Sequence, residues 1–335
     1  MTTSLSYLTF VQNYITRYGM STYVAFGNLG NILTIAVFSQ VEQRRNPCSL
    51  YLLSMTICNL VCLDVGIIPI IYSLDHPDIS TQILLACKLQ FYIRHAFFQM
   101  MRTYKVLACI DRYALCSTNV HIRSFSQRKI SIILIITTFI FWLLIVIFFG
   151  VVRTIKNNSC NIFDSVDLMI YTIYYLIFAG LLPPTLIIIF TMLVFKTLKQ
   201  LRSRVKPTAE NGERNTTTVL RKRDRDLIKM VFIEVMFYTI STLPFSIYLV
   251  YSLITSNMSK SKERQQVESF VNYLTQSFIM YFNTALPFYI YFFTSPSFRK
   301  QLKRVIIKYY CFIMGKSMRL NQNENTGTII ERRCS

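Results

Sequence analysis

Acidic side chains are scarce in this chain. Its 335 residues carry 16 Asp and Glu against 36 Lys and Arg, a formal net charge of +20. Only three histidines occur, His76, His95 and His121, far apart and in different settings, so no metal centre is expected. Nine glycines in the whole chain argue against the broken, glycine-rich helices that line transport paths. No acid–base constellation and no nucleotide-cradling loop is visible, and neither catalysis nor a cofactor is expected. The cationic excess invites a nucleic-acid partner. That reading fails because the cations flank apolar runs, where they act as orientation signals.

Apolar runs are what the chain has in abundance. Hydrophobic residues make up 53% and charged residues 16%, which does not describe a soluble domain. Residues 130–152 hold no charge at all, and a bilayer core takes about 20 helical residues. Hydropathy marks six spans, at 23–39, 49–74, 130–152, 168–195, 227–254 and 270–293. No basic stretch with a small-residue cleavage site precedes the first, so it is expected to serve as its own insertion signal. The segment 84–116 carries Arg94, Arg102 and Lys105, and charge placement decides it. If it spans, Arg44 and Arg45, then Arg123, Arg128 and Lys129, then the basic loop 196–226, and finally Arg299 to Arg304 all fall on the cytosolic side. If it does not, the basic third loop falls outside. The excess of cytosolic Lys and Arg favours seven spans, N-terminus out. Backbone polar groups in lipid are satisfied only by helices or closed barrels, and these runs are too long for barrel strands. The expected fold is an all-α membrane protein: an extracellular segment 1–22, a seven-helix bundle over 23–293, an amphipathic helix over 296–311 and a polar cytosolic tail, 312–335. In the amphipathic stretch Phe298, Leu302, Val305 and Ile306 share one face at helical spacing. Cys311 follows as a candidate palmitoylation site.

This topology sorts the nine cysteines. Cys48, Cys311 and Cys334 are cytosolic or juxtamembrane, and Cys58, Cys62, Cys109 and Cys116 lie in spans. Cys87 and Cys160 alone face the oxidising side and are expected to pair. Asn157 and Asn257 head extracellular glycosylation sequons.

The ordered set of motifs resembles the rhodopsin-like (class A) G-protein-coupled receptors. It comprises Gly30-Asn31 in the first span, Cys87 placed 25 residues before Arg112, and the triplet Asp111-Arg112-Tyr113. It continues with Trp142, Pro183 or Pro184, Pro244, and Thr294-Ser295-Pro296-Ser297-Phe298-Arg299. A finer similarity, to invertebrate receptors of the FMRFamide neuropeptide group, rests on 45–51 and 182–186. The resemblance implies a heterotrimeric G protein as partner, activation by movement of the sixth helix, and Asp224 as the acid that restrains Arg112. The sequence also departs from the family. The second-span sodium Asp is Asn59, the sixth-span Trp is Thr242, and the Phe one turn below is Tyr238. The seventh-span Asn-Pro pair reads Leu286-Pro287, with Tyr291 in the place of the family Tyr. The last span has no Lys for a retinal Schiff base.

At 100° per residue Arg94, Lys105 and Arg112 fall within about 20° of one stripe. If Arg112 faces the bundle, so do the other two, and a mid-membrane cation needs a partner. The acids available are Asp64, Glu234 and, at the edge, Asp111. A Lys105–Glu234 pair is the expectation; the alternative is that each is satisfied separately. Arg94 sits five turns above Arg112 and suits a carboxylate, phosphate or acidic peptide side chain. Equally, it pairs with Asp64 and touches no ligand. Phe98, Tyr248, Tyr251, Gln276 and Tyr281 are the other pocket candidates. The readings left by the sequence are a peptide receptor, a chemosensory receptor for a small anion, and a transporter or channel in which the third-span cations line an anion path.

Overall fold

The computed structural model describes the backbone of residues 2–117, 119–204, 214–256 and 258–314, and the side chains of these except 2–6, 195, 198–204, 214–229, 231 and 312. The chain forms a bundle of seven helical spans. Among the described residues five helical stretches are long and apolar enough to cross a bilayer by themselves: Tyr7–Phe38, Pro47–Tyr72, Arg128–Val151, Ser165–Val194 and Phe232–Ile254. The third span is the helix Leu84–Cys116, kept out of that set by its cations. The seventh is missing from it for another reason. Instead of one helix over 270–293, the structure has Lys262–Asn272, a π-helical turn Tyr273–Ile279, a turn at Met280 and Tyr281, Phe282–Ala285, and Pro287–Thr294.

Two boundaries differ from the sequence reading. Helix continues on the N-terminal side of the first span back to Thr2, through a π turn at Ile15–Met20. This part leans on the seventh span, where the Thr16 and Tyr273 hydroxyls are 2.7 Å apart and Tyr273 also donates to the Gln12 carbonyl. The basic loop is shorter than 196–226, because helices run to Arg204 and resume at Arg214. The expected tail beyond residue 314, with Cys334, lies outside the described residues.

The third span is the hub. It packs against the second, fourth, fifth and sixth and buries Met100, Met101, Tyr104, Ala108 and Cys109. Trp142, the single Trp, donates its indole N–H to Thr103 Oγ1 at 2.8 Å and fixes the fourth span against it. Prolines supply further ties. A proline inside a helix removes the N–H that would reach the carbonyl four residues back. Pro183 thereby frees the Ala179 carbonyl, which accepts from the Tyr238 hydroxyl of the sixth span. Pro69 frees that of Val65, which accepts from Gln90 Nε2 of the third at 3.5 Å. The sequence faults in two helices become interhelical hydrogen bonds.

At one end of the bundle Cys87, in the first turn of the third span, is joined to Cys160. Cys160 lies in a two-stranded hairpin, Thr154–Lys156 with Ser159–Asn161. Its turn residues Asn157 and Asn158 have φ of 50° and 54°, the left-handed pair that tight hairpin turns demand and that Asn tolerates. At the same end Glu268 accepts from Lys260 at 2.6 Å, Arg264 at 3.0 Å and the Tyr251 hydroxyl at 2.7 Å. Burial alone raises the Glu268 carboxyl, but the donors from Lys260, Tyr251 and Arg264 outweigh it and hold the group below the usual carboxylate range.

At the opposite end the helix Pro296–Ile313 folds back on the bundle. Phe298, Leu302 and Val305 are buried, with the Phe298 ring against Phe38, Phe288 and Tyr291. Ile306, expected on the same face, is instead 52% exposed. It follows Val305 by one residue, and 100° of rotation carries it off the buried stripe. Cys311 is buried near the end of this helix.

Candidate functional site

The third span is one uninterrupted helix, so positions counted along it keep their faces. Lys105 and Glu234 are brought together: Lys105 Nζ lies 2.9 Å from Glu234 Oε1, with both side chains at 3% exposure or less. The contact lacks the angles of a good hydrogen bond, so it is chiefly a charge contact. The other carboxylate oxygen, Oε2, accepts from the Tyr291 hydroxyl at 2.6 Å. Lys105 also lies 5.3 Å from the Tyr238 ring. A single buried carboxylate therefore ties the third, sixth and seventh spans.

Two turns along, Arg112 is buried at the end of the bundle opposite the disulfide. Its Nε donates to Asp111 at 3.1 Å, and a terminal nitrogen donates to Asn46 Oδ1 at 3.0 Å. Asn46 Oδ1 also accepts from the Cys48 N–H as cap of the second span, so one amide oxygen serves a helix start and the triplet. Asp111 takes a further bond from Ser126 at 2.8 Å. The Tyr113 ring sits 5.8 Å from that of Phe190 on the fifth span. The Asp224 side chain lies outside the described residues, as does Asn257.

The expected pocket residues fall in several settings. Phe98 and Tyr281 are buried against each other with ring centroids 5.2 Å apart. Tyr248 is half-buried, and Gln276 lies half-buried in the seventh-span π turn. Tyr251 is occupied by Glu268 and Arg264. Arg94 lines an open cavity, described below. The alternative pairing with Asp64 is not formed: Asp64 accepts from Asn28 at 2.6 Å, and no ion pair joins it to Arg94 among the described residues.

Counting along one helix did not give Arg102 a setting. The structure places it at 2% exposure in a cage from four spans. It donates to Gln99 at 3.1 Å and to the Tyr175 hydroxyl at 3.3 Å, and reaches Met280 Sδ at 3.9 Å. The rings of Phe98, Tyr175 and Tyr238 lie within 6.0 Å of its guanidinium carbon. The only sequence signal was the cation itself inside a span. Asn283, four residues before Pro287, was also missed; it donates to Ser241 at 2.6 Å and links the seventh span to the sixth. Asn59 is fully buried with neither amide atom hydrogen-bonded. No group of metal-ligating side chains occurs among the described residues.

Gly66 marks a tight approach. A Cβ there would stand 2.0 Å from the Tyr281 hydroxyl oxygen and 2.5 Å from its ring. Gly66→Ala must push Tyr281 off Phe98, a shift that costs about 1–3 kcal/mol in a packed core. A lowered melting temperature of the purified variant, partly recovered in Gly66→Ala/Tyr281→Leu, is the expected result.

Arg102, the Lys105–Glu234–Tyr291 tie and Arg112 thus form a buried polar column down the axis of the bundle. The comparisons agree with that architecture. A family model described as 7 transmembrane receptor (rhodopsin family) matches residues 30–317. No curated protein gives a significant match. The chain belongs to the rhodopsin family of seven-transmembrane receptors, and is a multi-pass signalling receptor of the plasma membrane rather than an enzyme.

Proposed function

We propose that this receptor takes a neuropeptide at the disulfide end of the bundle and activates a heterotrimeric G protein at the Asp111-Arg112-Tyr113 end by displacement of the sixth span. The observation that carries the reading is the Lys105–Glu234–Tyr291 tie, 2.9 Å and 2.6 Å long, between the spans that must separate. A contact of this kind is a two-state element that a ligand can bias. Orientation follows from charge. Arg123, Arg128 and Lys129 flank the start of the fourth span, and Arg299, Lys300, Lys303 and Arg304 lie on the last helix. These cations are at the Arg112 end, which makes it cytosolic. The disulfide end is then extracellular, and Asn157, exposed in its hairpin turn, is a glycan acceptor there. Asn257 is a second. Asp224 acts as a further restraint on Arg112.

The test is G-protein activation in cells with confirmed surface expression, comparing a panel of amidated and acidic peptides with buffer. A response to one peptide that disappears in Arg112→Ala is the expected outcome. A response that survives Arg112→Ala at equal surface density counts against the reading. A small anionic ligand is the second reading, favoured by the cavity that Arg94 lines.

A further inference from the structure

Under the disulfide, between the second and third spans and the hairpin loop, lies a cavity of about 140 Å³. Its walls include Phe91, Arg94, Arg153 and Asp78. Arg153 is 9% exposed. Its guanidinium carbon lies over the Phe91 ring, 3.7 Å from the centroid. One terminal nitrogen donates to the Cys160 carbonyl at 3.1 Å, while Nε is buried without a partner. Arg94 lies over the same ring at 5.8 Å. Neither guanidinium has a carboxylate at ion-pair distance among the described residues. Asp78 is the single acid in the wall, and its Oδ1 is committed to capping a short helix through the Ser80 N–H at 2.8 Å. The cavity thus holds two guanidinium groups against one carboxylate, with a buried donor unsatisfied.

We propose that this cavity is a carboxylate-binding subsite of the receptor, held by Arg153 and Arg94. The proposal rests on the reading that the disulfide end receives the ligand. Burying a guanidinium without an anion is costly, and its planar fork matches a carboxylate better than any other common anion except phosphate. Phe91 and the disulfide immobilise Arg153, so little freedom is lost when an anion arrives. The size admits the acidic side chain of a peptide or a small organic acid, since a cavity of roughly 150 Å³ accommodates a benzene ring. Arg153 was not visible as a site residue in the sequence because it stands beyond the end of the fourth span, in a loop whose path is set by the Cys87–Cys160 bond.

The experiment uses the full-length receptor in lipid nanodiscs and 4-fluorobenzoate as probe, with 19F line broadening read against empty nanodiscs. Saturable binding is expected, absent for the neutral 4-fluorobenzamide. Arg94→Gln/Arg153→Gln should weaken it by roughly tenfold or more, the loss expected for charge-assisted hydrogen bonds. Arg17→Gln, which alters the exposed pair with Asp75 outside the cavity, should not. Asp78→Asn is the decisive partner, because a loss in the double variant alone does not separate lost binding from misfolding. Asn caps a helix as well as Asp does, yet it removes the only acid in the wall, so the probe should bind several-fold more tightly. Equal affinity in wild type and Asp78→Asn, or no saturable binding to the wild type, overturns the proposal. Competition separates the sources: displacement by an acetylated, amidated glutamyl dipeptide marks a peptide side chain as the occupant, and displacement by acetate alone marks a small acid. No signalling enters the readout, so this subsite can fail while the G-protein reading stands, and the reverse.

Discussion

Reversing either charge of the Lys105–Glu234 pair is expected to silence the receptor, and reversing both together is expected to restore it. Both side chains are almost wholly buried and 2.9 Å apart. Lys105→Glu would set two carboxylates against each other, and Glu234→Lys two ammonium groups. Breaking a buried pair from one side costs about 3–5 kcal/mol, comparable to much of the stability of an ordinary fold. The swapped pair recreates the attraction in reverse. Tyr291, which now donates to Glu234, can accept from a lysine there, because a phenol both donates and accepts. Rescue should be incomplete, since Lys and Glu differ in length and the present contact is already poorly aligned. The measurement is G-protein activation by the three variants at matched surface density. Single variants that signal normally would show the pair to be incidental. A swap that reaches the surface but stays silent would show that something other than mutual attraction is required at these positions.

How much of this was legible in the sequence depends on where helices are unbroken. Lys105, Arg94 and Arg112 were placed on one stripe by counting, and the third span is a single helix over all three. Its membership in the bundle was legible from charge placement although its own hydropathy hid it. The disulfide followed from topology alone, because sorting nine cysteines by side left two. The pocket was less readable. The fifth and seventh spans contain π turns, Leu176–Leu181 and Tyr273–Ile279, and an extra residue in a turn rotates everything beyond it relative to a regular count. Gln276 lies inside such a turn. Tyr251 was assigned inward, but Lys260, Arg264 and Glu268 form a cluster above it that no helical wheel contains. The proline ties were equally hidden. That Pro183 frees a carbonyl is evident from sequence; that Tyr238 collects it requires knowing how the fifth and sixth spans are rotated.

The same limitation applied to Arg102, and its cage makes an unusual prediction about conservative change. Replacing Arg102 with Met should be tolerated better than replacing it with Lys. The guanidinium has no carboxylate partner among its contacts; it is held by two neutral acceptors and three ring faces. A cation at mid-bilayer depth costs roughly 2.5–3.5 kcal/mol on insertion scales. Rings and neutral acceptors surround the guanidinium, so the cage is built as much around a flat, polarisable volume as around a charge. Met approximates that volume, makes favourable sulfur–aromatic contacts and removes the desolvation cost, although it leaves Gln99 Oε1 and the Tyr175 hydroxyl without their donor, about 1–3 kcal/mol each. Lys keeps the charge but is a compact, strongly hydrated ammonium that cannot stack on Phe98 and Tyr175 or reach Gln99 and Tyr175 together. Ala leaves a cavity and two unsatisfied polar partners, a loss of roughly 3 kcal/mol or more. Thermal unfolding of the purified variants in nanodiscs should therefore rank them Met first, with Lys and Ala well below. A Lys variant as stable as wild type beside a collapsed Met variant would mean that the positive charge itself holds the four spans together at this level.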